Sequence, residues 1–264
     1  MIRLVVLDID GTLLEPGVEA DAVPDPMMTA AVQRLQAAGI VVTLATGRMY
    51  PGTVHVARHL GIDQPLICQQ GASVHDMDGE LRHACAIDPD IALELLDYAA
   101  LHDWPLAWFD ARRYLVTAPS AQANYFAQLS QVEVELNAMP QASGVRATGI
   151  DIISTVEASR DVHLLLEARY GGEITLLDFP SVTAVHAPNA SKGKAVHQLA
   201  AELNIGQHEV LAIGDSLNDV SMLSWAGHSA APGHSDRYAR DSAKEILVGD
   251  GVAGVVNKLT SLLI

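Results

Sequence analysis

Residues 2–13 read Ile2-Arg3-Leu4-Val5-Val6-Leu7-Asp8-Ile9-Asp10-Gly11-Thr12-Leu13. A short β-branched apolar run that meets two acids and a glycine is the pattern of a buried strand ending in a polar turn. The pattern recurs twice. Ile40–Ala45 runs into Thr46-Gly47-Arg48, and Glu209–Ile213 runs into Gly214-Asp215-Ser216-Leu217-Asn218-Asp219. Helical spacing covers Met27–Ala38, with Gly39 placed to end it, and a second helix near Val54–Leu60 stops at Gly61. A strand follows at Leu66–Gln69. Strands alternating with helices across short glycine-marked loops predict an α/β fold, a parallel sheet with helices on both faces.

The middle of the chain differs. Between Cys85 and Pro180 there is no lysine, and 14 acids face five arginines. Helices are expected at Ile91–His102, Ala121–Leu129 and Arg160–Tyr170, and strands at Leu106–Phe109, Tyr114–Thr117, Ile150–Val156 and Glu173–Phe179. This reads as an α+β domain over residues 85–182, inserted into a core made of 1–84 and 183–264. After it the first rhythm returns: a helix at Ser191–Leu203, strands at Ser229–Ala231 and Glu245–Val248, and a last helix at Val252–Leu263.

Composition narrows the function. The 264 residues carry 32 acids against 16 bases, a net charge of −16, and only four of the bases are lysines. That balance excludes a phosphate-backbone binder, so no nucleic acid partner is expected. No apolar run approaches the ~20 residues of a membrane span, and the first ten residues hold two acids, unlike a signal peptide. Two cysteines, Cys68 and Cys85, suit a reducing compartment, and a cytoplasmic protein is expected, a monomer or homodimer.

In an open parallel sheet ligands bind at the carboxyl ends of the strands. Those ends carry Asp8, Asp10, Thr46, Asp215, Asn218 and Asp219. Four carboxylates in one crevice repel one another unless a divalent cation sits among them, and an all-oxygen donor set selects Mg²⁺. The ion would attract an anionic substrate, a phosphate, and Lys192 at a helix start supplies a positive charge for the same anion. A carboxylate so placed can attack phosphorus, and a second one two residues on can protonate the leaving oxygen and later deprotonate water.

With these residues the chain resembles the haloacid dehalogenase-like phosphatases. Asp8-Ile9-Asp10-Gly11-Thr12-Leu13 is similar to their first motif, Thr46 in Ala45-Thr46-Gly47-Arg48 to the second, Lys192 in Ser191-Lys192-Gly193 to the third, and Gly214-Asp215 with Asn218-Asp219 to the fourth. The insertion sits where Cof-like sugar-phosphate phosphatases carry a type IIB cap, and the tail Asp250-Gly251-Val252-Ala253 is similar to theirs. The resemblance implies a Rossmann-like core with an inserted α+β type IIB cap, and a Mg²⁺-dependent phosphatase of small phosphorylated metabolites such as sugar phosphates. Asp8 would be the nucleophile and Asp10 the general acid/base. The metal would be held by Asp8, Asp10 through its carbonyl, and Asp215, with Asn218 or Asp219 nearby. Phosphoryl oxygens would meet Thr46, Lys192, Asn218 and the backbone N–H groups around Ile9, Asp10 and Gly47.

Two departures lie near the cap junction: Gln70-Gly71-Ala72 stands where the subfamily has Asn-Gly-Ala, and no acid stands near Ala184. Asp219 also reads as an acid in the first turn of a helix, stabilised by the helix dipole. Arg48 reads as a substrate contact or as the partner of a core carboxylate. His186 is a substrate-contact candidate, and the cap arginines Arg112, Arg113, Arg146, Arg160 and Arg169 read chiefly as partners of surface acids. A phosphosugar mutase and a silent metabolite-binding protein are the alternative functions.

Overall fold

The computed structural model describes residues 1–249 and 251–263, so Asp250 of the tail motif lies outside the described residues. A five-stranded parallel sheet holds Leu4–Leu7 in its interior, between Val41–Leu44 and Val210–Ile213, with His228–Ala231 and Glu245–Ile246 completing one side. A single parallel bridge from Ala45 to Ile67 adds Leu66–Cys68 at the other edge. Val5 and Leu7 point into one apolar cluster, under helices Pro26–Ala37, Tyr50–Leu60 and Ala253–Ser261. Leu4 and Val6 point into a second, under Lys192–Glu202 and Val220–Trp225. Burial on both faces explains why the strand sequences are apolar without alternation.

Helix ends follow local chemistry. Asp25 accepts from the N–H groups of Met27 and Met28, and Gly61 ends the second helix in the left-handed conformation (φ +70°). That second helix starts at Tyr50, four residues before the expected start, because Pro51 fits a first turn whose N–H groups have no partner anyway. In the inserted part the helix Val156–Tyr170 likewise begins early, capped by Thr155, so the strand before it ends at Ile153 and not at Val156.

The inserted part is a six-stranded sheet in the order Thr175–Phe179, Val182–His186, Gly149–Ile153, Leu106–Phe109, Tyr114–Val116, Val134–Leu136. Every pairing is antiparallel except the last. Strand Val182–His186 pairs along its whole length within this sheet, so the expected boundary at 182/183 falls inside a cap strand and the chain returns to the core after His186. Alternation sorts the sheet's two faces. Leu106, Trp108, Ile150 and Ile152 pack with residues of helices Pro89–Leu101 and Val156–Tyr170, whereas Ala107, Phe109, Tyr114 and Ile153 face the core domain, where Met49 joins their cluster. Contact between the parts is close. Met49 N–H donates to Ser130 Oγ at 3.0 Å, and a Cβ on Gly52 would sit 2.2 Å from the Leu129 carbonyl oxygen. Among the described residues no helix is long and apolar enough to cross a membrane.

Candidate active site

The strand ends converge as the sequence predicts. Asp8 directly follows Leu7 and its N–H still donates to the Ile213 carbonyl at 3.0 Å, which sets it beside the turn that carries Asp215. Carboxylate oxygens of Asp8, Asp215 and Asp219 lie within 4.8 Å of one another. Lys192, the first residue of its helix, is 1% exposed, and its Nζ donates to Asp8 Oδ1 at 2.7 Å and to Asp219 Oδ1 at 2.6 Å. The other oxygen of Asp219 accepts from the N–H groups of Asp215 and Ser216 at 2.9 and 3.1 Å. Both Asp219 oxygens are thus engaged in holding the lysine and the turn. Asp10 stands apart from the three: Arg48, buried beneath it, donates Nε–H to Oδ2 at 2.9 Å and Nη2–H to Oδ1 at 2.5 Å. The carboxylate-partner reading of Arg48 is the one this geometry matches.

Burial pushes the Asp8 carboxyl well above its usual range; the Asp219 charge adds to this and the Lys192 charge opposes it. Burial, then the Asp219 charge, lifts Asp215 to about 7, against the Lys192 charge and the hydroxyl of Thr12, which donates to its Oδ1 at 3.2 Å. For Lys192 burial disfavours the charged form, but Asp219 and Asp8 outweigh it and the ammonium is held. Two raised, crowded carboxyls with only oxygen donors fit a hard divalent cation, whose charge would reverse both shifts. Gly11 keeps the space open: with φ +85°, a Cβ there would lie 2.3 Å from Asp215 Oδ2.

Above this cluster opens a cavity of about 590 Å³, roofed by the inserted sheet. Asp8, Asp10, Thr46, Gly47 and Asn218 line it, and so do Arg48 and Gln70. Ile9 points its side chain into the apolar core, so only its backbone can serve a ligand. Among the described residues the N–H groups of Ile9, Asp10 and Gly47 have no acceptor, which leaves three donors for an anion. Asn218 donates to Gln70 Oε1 at 3.0 Å and accepts from Ser216 Oγ at 2.6 Å. Gln69, Gln70 and Gly71 all have positive φ (50°, 59° and 92°), a run that only Gly adopts freely. Gln69 offsets this by reaching the inserted domain, donating to the Asp110 carbonyl and accepting from Thr148 Oγ1 at 2.9 Å. A Cβ on Gly71 would lie 2.3 Å from the Ser191 carbonyl oxygen, so this turn packs against the start of the Lys192 helix.

His186 lines the cavity, while Arg113, Arg160 and Arg169 pair with Glu135, Asp178 and Glu94, and none of the five cap arginines lines it. Sequence reasoning missed Asp151, which also lines it. An acid inside the otherwise apolar run Gly149-Ile150-Asp151-Ile152-Ile153 was the available signal. Asp151 pairs across the sheet with Ala184, the very position that lacks an acid. Burial lifts its carboxyl to about 7. A raised value means the folded state holds the proton more tightly than the unfolded chain, so stability falls as pH climbs from about 4 through 7. Asp151→Asn is therefore expected to be more stable than the parent at about pH 8, by on the order of 2–4 kcal/mol, with the difference closing below about pH 4. Urea unfolding at the two pH values checks this, and a variant less stable at the higher pH contradicts it.

A parallel core bearing a lysine-bridged carboxylate cluster, under an inserted antiparallel cap, defines a capped α/β hydrolase, and the chain belongs to the haloacid dehalogenase-like hydrolases, whose family model matches residues 5–259. It is 26% identical to phosphatase YwpJ of Bacillus subtilis, the alignment covering 99% of this chain and 100% of that one. Its fold is similar to that of a haloacid dehalogenase-like hydrolase from B. subtilis, with a TM-score of 0.85 at 24% identity over 99% of this chain and 100% of the other. The subclass IIB sugar phosphatase BT4131 superposes with a TM-score of 0.83 at 19% identity, covering 98% of each chain, so the core and its inserted cap have the subclass IIB fold.

Proposed function

We propose that the protein is a Mg²⁺-dependent phosphomonoesterase of small phosphorylated metabolites, working through an aspartyl phosphate on Asp8. The observation that carries this reading is Asp8 at a strand end, bonded to the buried Lys192 and open to the cavity, with Asp10 two residues on. Asp8 attacks phosphorus as the bond to the leaving oxygen breaks, and Asp10 gives that oxygen its proton. Asp10 then takes a proton from water as the water displaces phosphate from Asp8. The bidentate contact from Arg48 holds the Asp10 carboxyl in place for this proton transfer. Thr46, Asn218 and the free N–H groups of Ile9, Asp10 and Gly47 receive the phosphoryl oxygens. Lys192 aims Asp8, and its charge favours the ionised carboxylate against the opposing effect of burial. Asp8, Asp215 and the Asp10 carbonyl would hold the metal, which when bound supplies positive charge to the phosphoryl group. Asp219 serves by fixing Lys192 and the Asp215 turn, a role supported by the three hydrogen bonds its carboxylate accepts, from the Lys192 ammonium and from the N–H groups of Asp215 and Ser216.

The relatives' names widen the choice of substrate: YwpJ is called a phosphatase, and BT4131 a sugar phosphatase. A cytoplasmic location is part of the reading, supported by the free thiols of Cys68 and Cys85. Phosphate release from a panel of phosphorylated metabolites, with Mg²⁺ and then with excess chelator, tests the proposal. Release that needs Mg²⁺ and falls to background with chelator is expected. Equal release in both conditions removes the metal from the reading, and bound phosphoryl transferred to sugar without phosphate release points to a mutase.

A further inference from the structure

The cavity's roof differs in chemistry from its floor. Phe109, Tyr114 and Phe126 form a ring cluster with centroids 5.1–5.6 Å apart, and Ile153, Phe179 and Val182 extend the apolar wall. Set into this wall is Asp151, only 8% exposed. Its cross-strand neighbours on both sides are alanines, Ala107 and Ala184, whose short side chains leave room above the carboxylate. Among the described residues no cation pairs with it and no side-chain donor reaches it. Tyr114 lines the same cavity, its hydroxyl is buried without a hydrogen-bond partner among the described residues, and the Asp151 charge helps burial to hold its proton on. His186 completes the set: its Nδ1 meets the Thr148 carbonyl at 3.0 Å, so that nitrogen carries the proton and Nε2 is an acceptor.

A buried acceptor and a buried hydroxyl, both unpartnered and both on residues that line one cavity, are costly unless a ligand completes them. Resting on the phosphatase reading, we propose that Asp151 selects the leaving group of the substrate, a compact apolar or aromatic alcohol that carries an amino or protonated ring nitrogen. A nitrogen cation supplies the counter-charge the wall lacks, and the aromatic cluster covers the carbon body. A hexose fits this wall less well, because each of its several hydroxyls needs a partner once desolvated and the wall is mostly carbon.

The test compares para-aminomethylbenzyl phosphate, para-methylbenzyl phosphate and a hexose phosphate on the parent and on Asp151→Asn, with Mg²⁺ present. The parent is expected to favour the amine ester over its methyl counterpart by about tenfold or more in kcat/KM, the scale of one hydrogen bond to a charged group. In Asp151→Asn that ratio falls to near one. A parent that favours the methyl ester or the hexose phosphate, or a ratio that the substitution leaves unchanged, overturns the proposal. If no ester is hydrolysed, the phosphatase reading fails separately, and calorimetry with the two benzyl alcohols still decides the pocket. Binding of the aminomethyl alcohol about tenfold tighter than the methyl one, in the parent only, supports it. Equal affinity or no binding overturns it.

Discussion

Asp8→Asn is expected to lower phosphate release by at least about 10⁴-fold, the scale seen when a catalytic nucleophile is removed. The carboxamide oxygen is uncharged and far too weak a nucleophile to displace the leaving oxygen from phosphorus, so no aspartyl phosphate forms. The fold survives, because asparagine has the same shape and its Oδ1 still accepts from Lys192, which keeps its ion pair with Asp219. A continuous phosphate assay beside a thermal melt separates lost chemistry from lost structure. Activity that persists in a folded variant would move the nucleophile elsewhere and sink the covalent mechanism.

Lys192→Met carries the second large effect, and it falls on stability as well as rate. Among the described residues the ammonium is the sole positive charge bonded to Asp8 and Asp219, both of them buried, with Asp215 alongside. Removing it leaves uncompensated buried carboxylates, a change that costs about 3–5 kcal/mol. Adding Asp219→Asn to Lys192→Met removes one of the stranded charges and recovers part of that loss. The four proteins of this cycle, compared by urea unfolding in the presence of chelator, are expected to show non-additive costs. Additive costs would mean that the two residues do not couple. Phosphate release stays lost in the double variant, because Asp8 still lacks the cation that aims it.

Much of this site is legible in the sequence because its parts are local. An apolar strand that ends abruptly in Asp8-Ile9-Asp10-Gly11 or in Gly214-Asp215 needs no partner to be noticed, and the burial of Leu4–Leu7 on both faces matches that reading. Strands without such a pattern leave no mark in the sequence. Leu81-Arg82-His83-Ala84 is exposed throughout, so no apolar stripe marks it. Val182–His186 hides behind a tight turn at Pro180-Ser181, where Ser181 takes the left-handed conformation (φ +62°). Its pairing with Asp151 and Ile153 is settled only when the sheet assembles.

By itself the sequence determined the alternation of strands and helices, the inserted segment, and the identity of the polar residues at three strand ends. Those follow from short-range patterns of apolar side chains, turn residues and caps. Tertiary structure alone decided which charges meet. Arg48 reaches Asp10 across 38 residues and Lys192 reaches Asp8 across 184, distances over which no local propensity acts. It also decided that Asp151 faces an aromatic cavity and not a helix, since the pleat sends alternate residues to opposite faces and only the packed sheet tells which face is roofed.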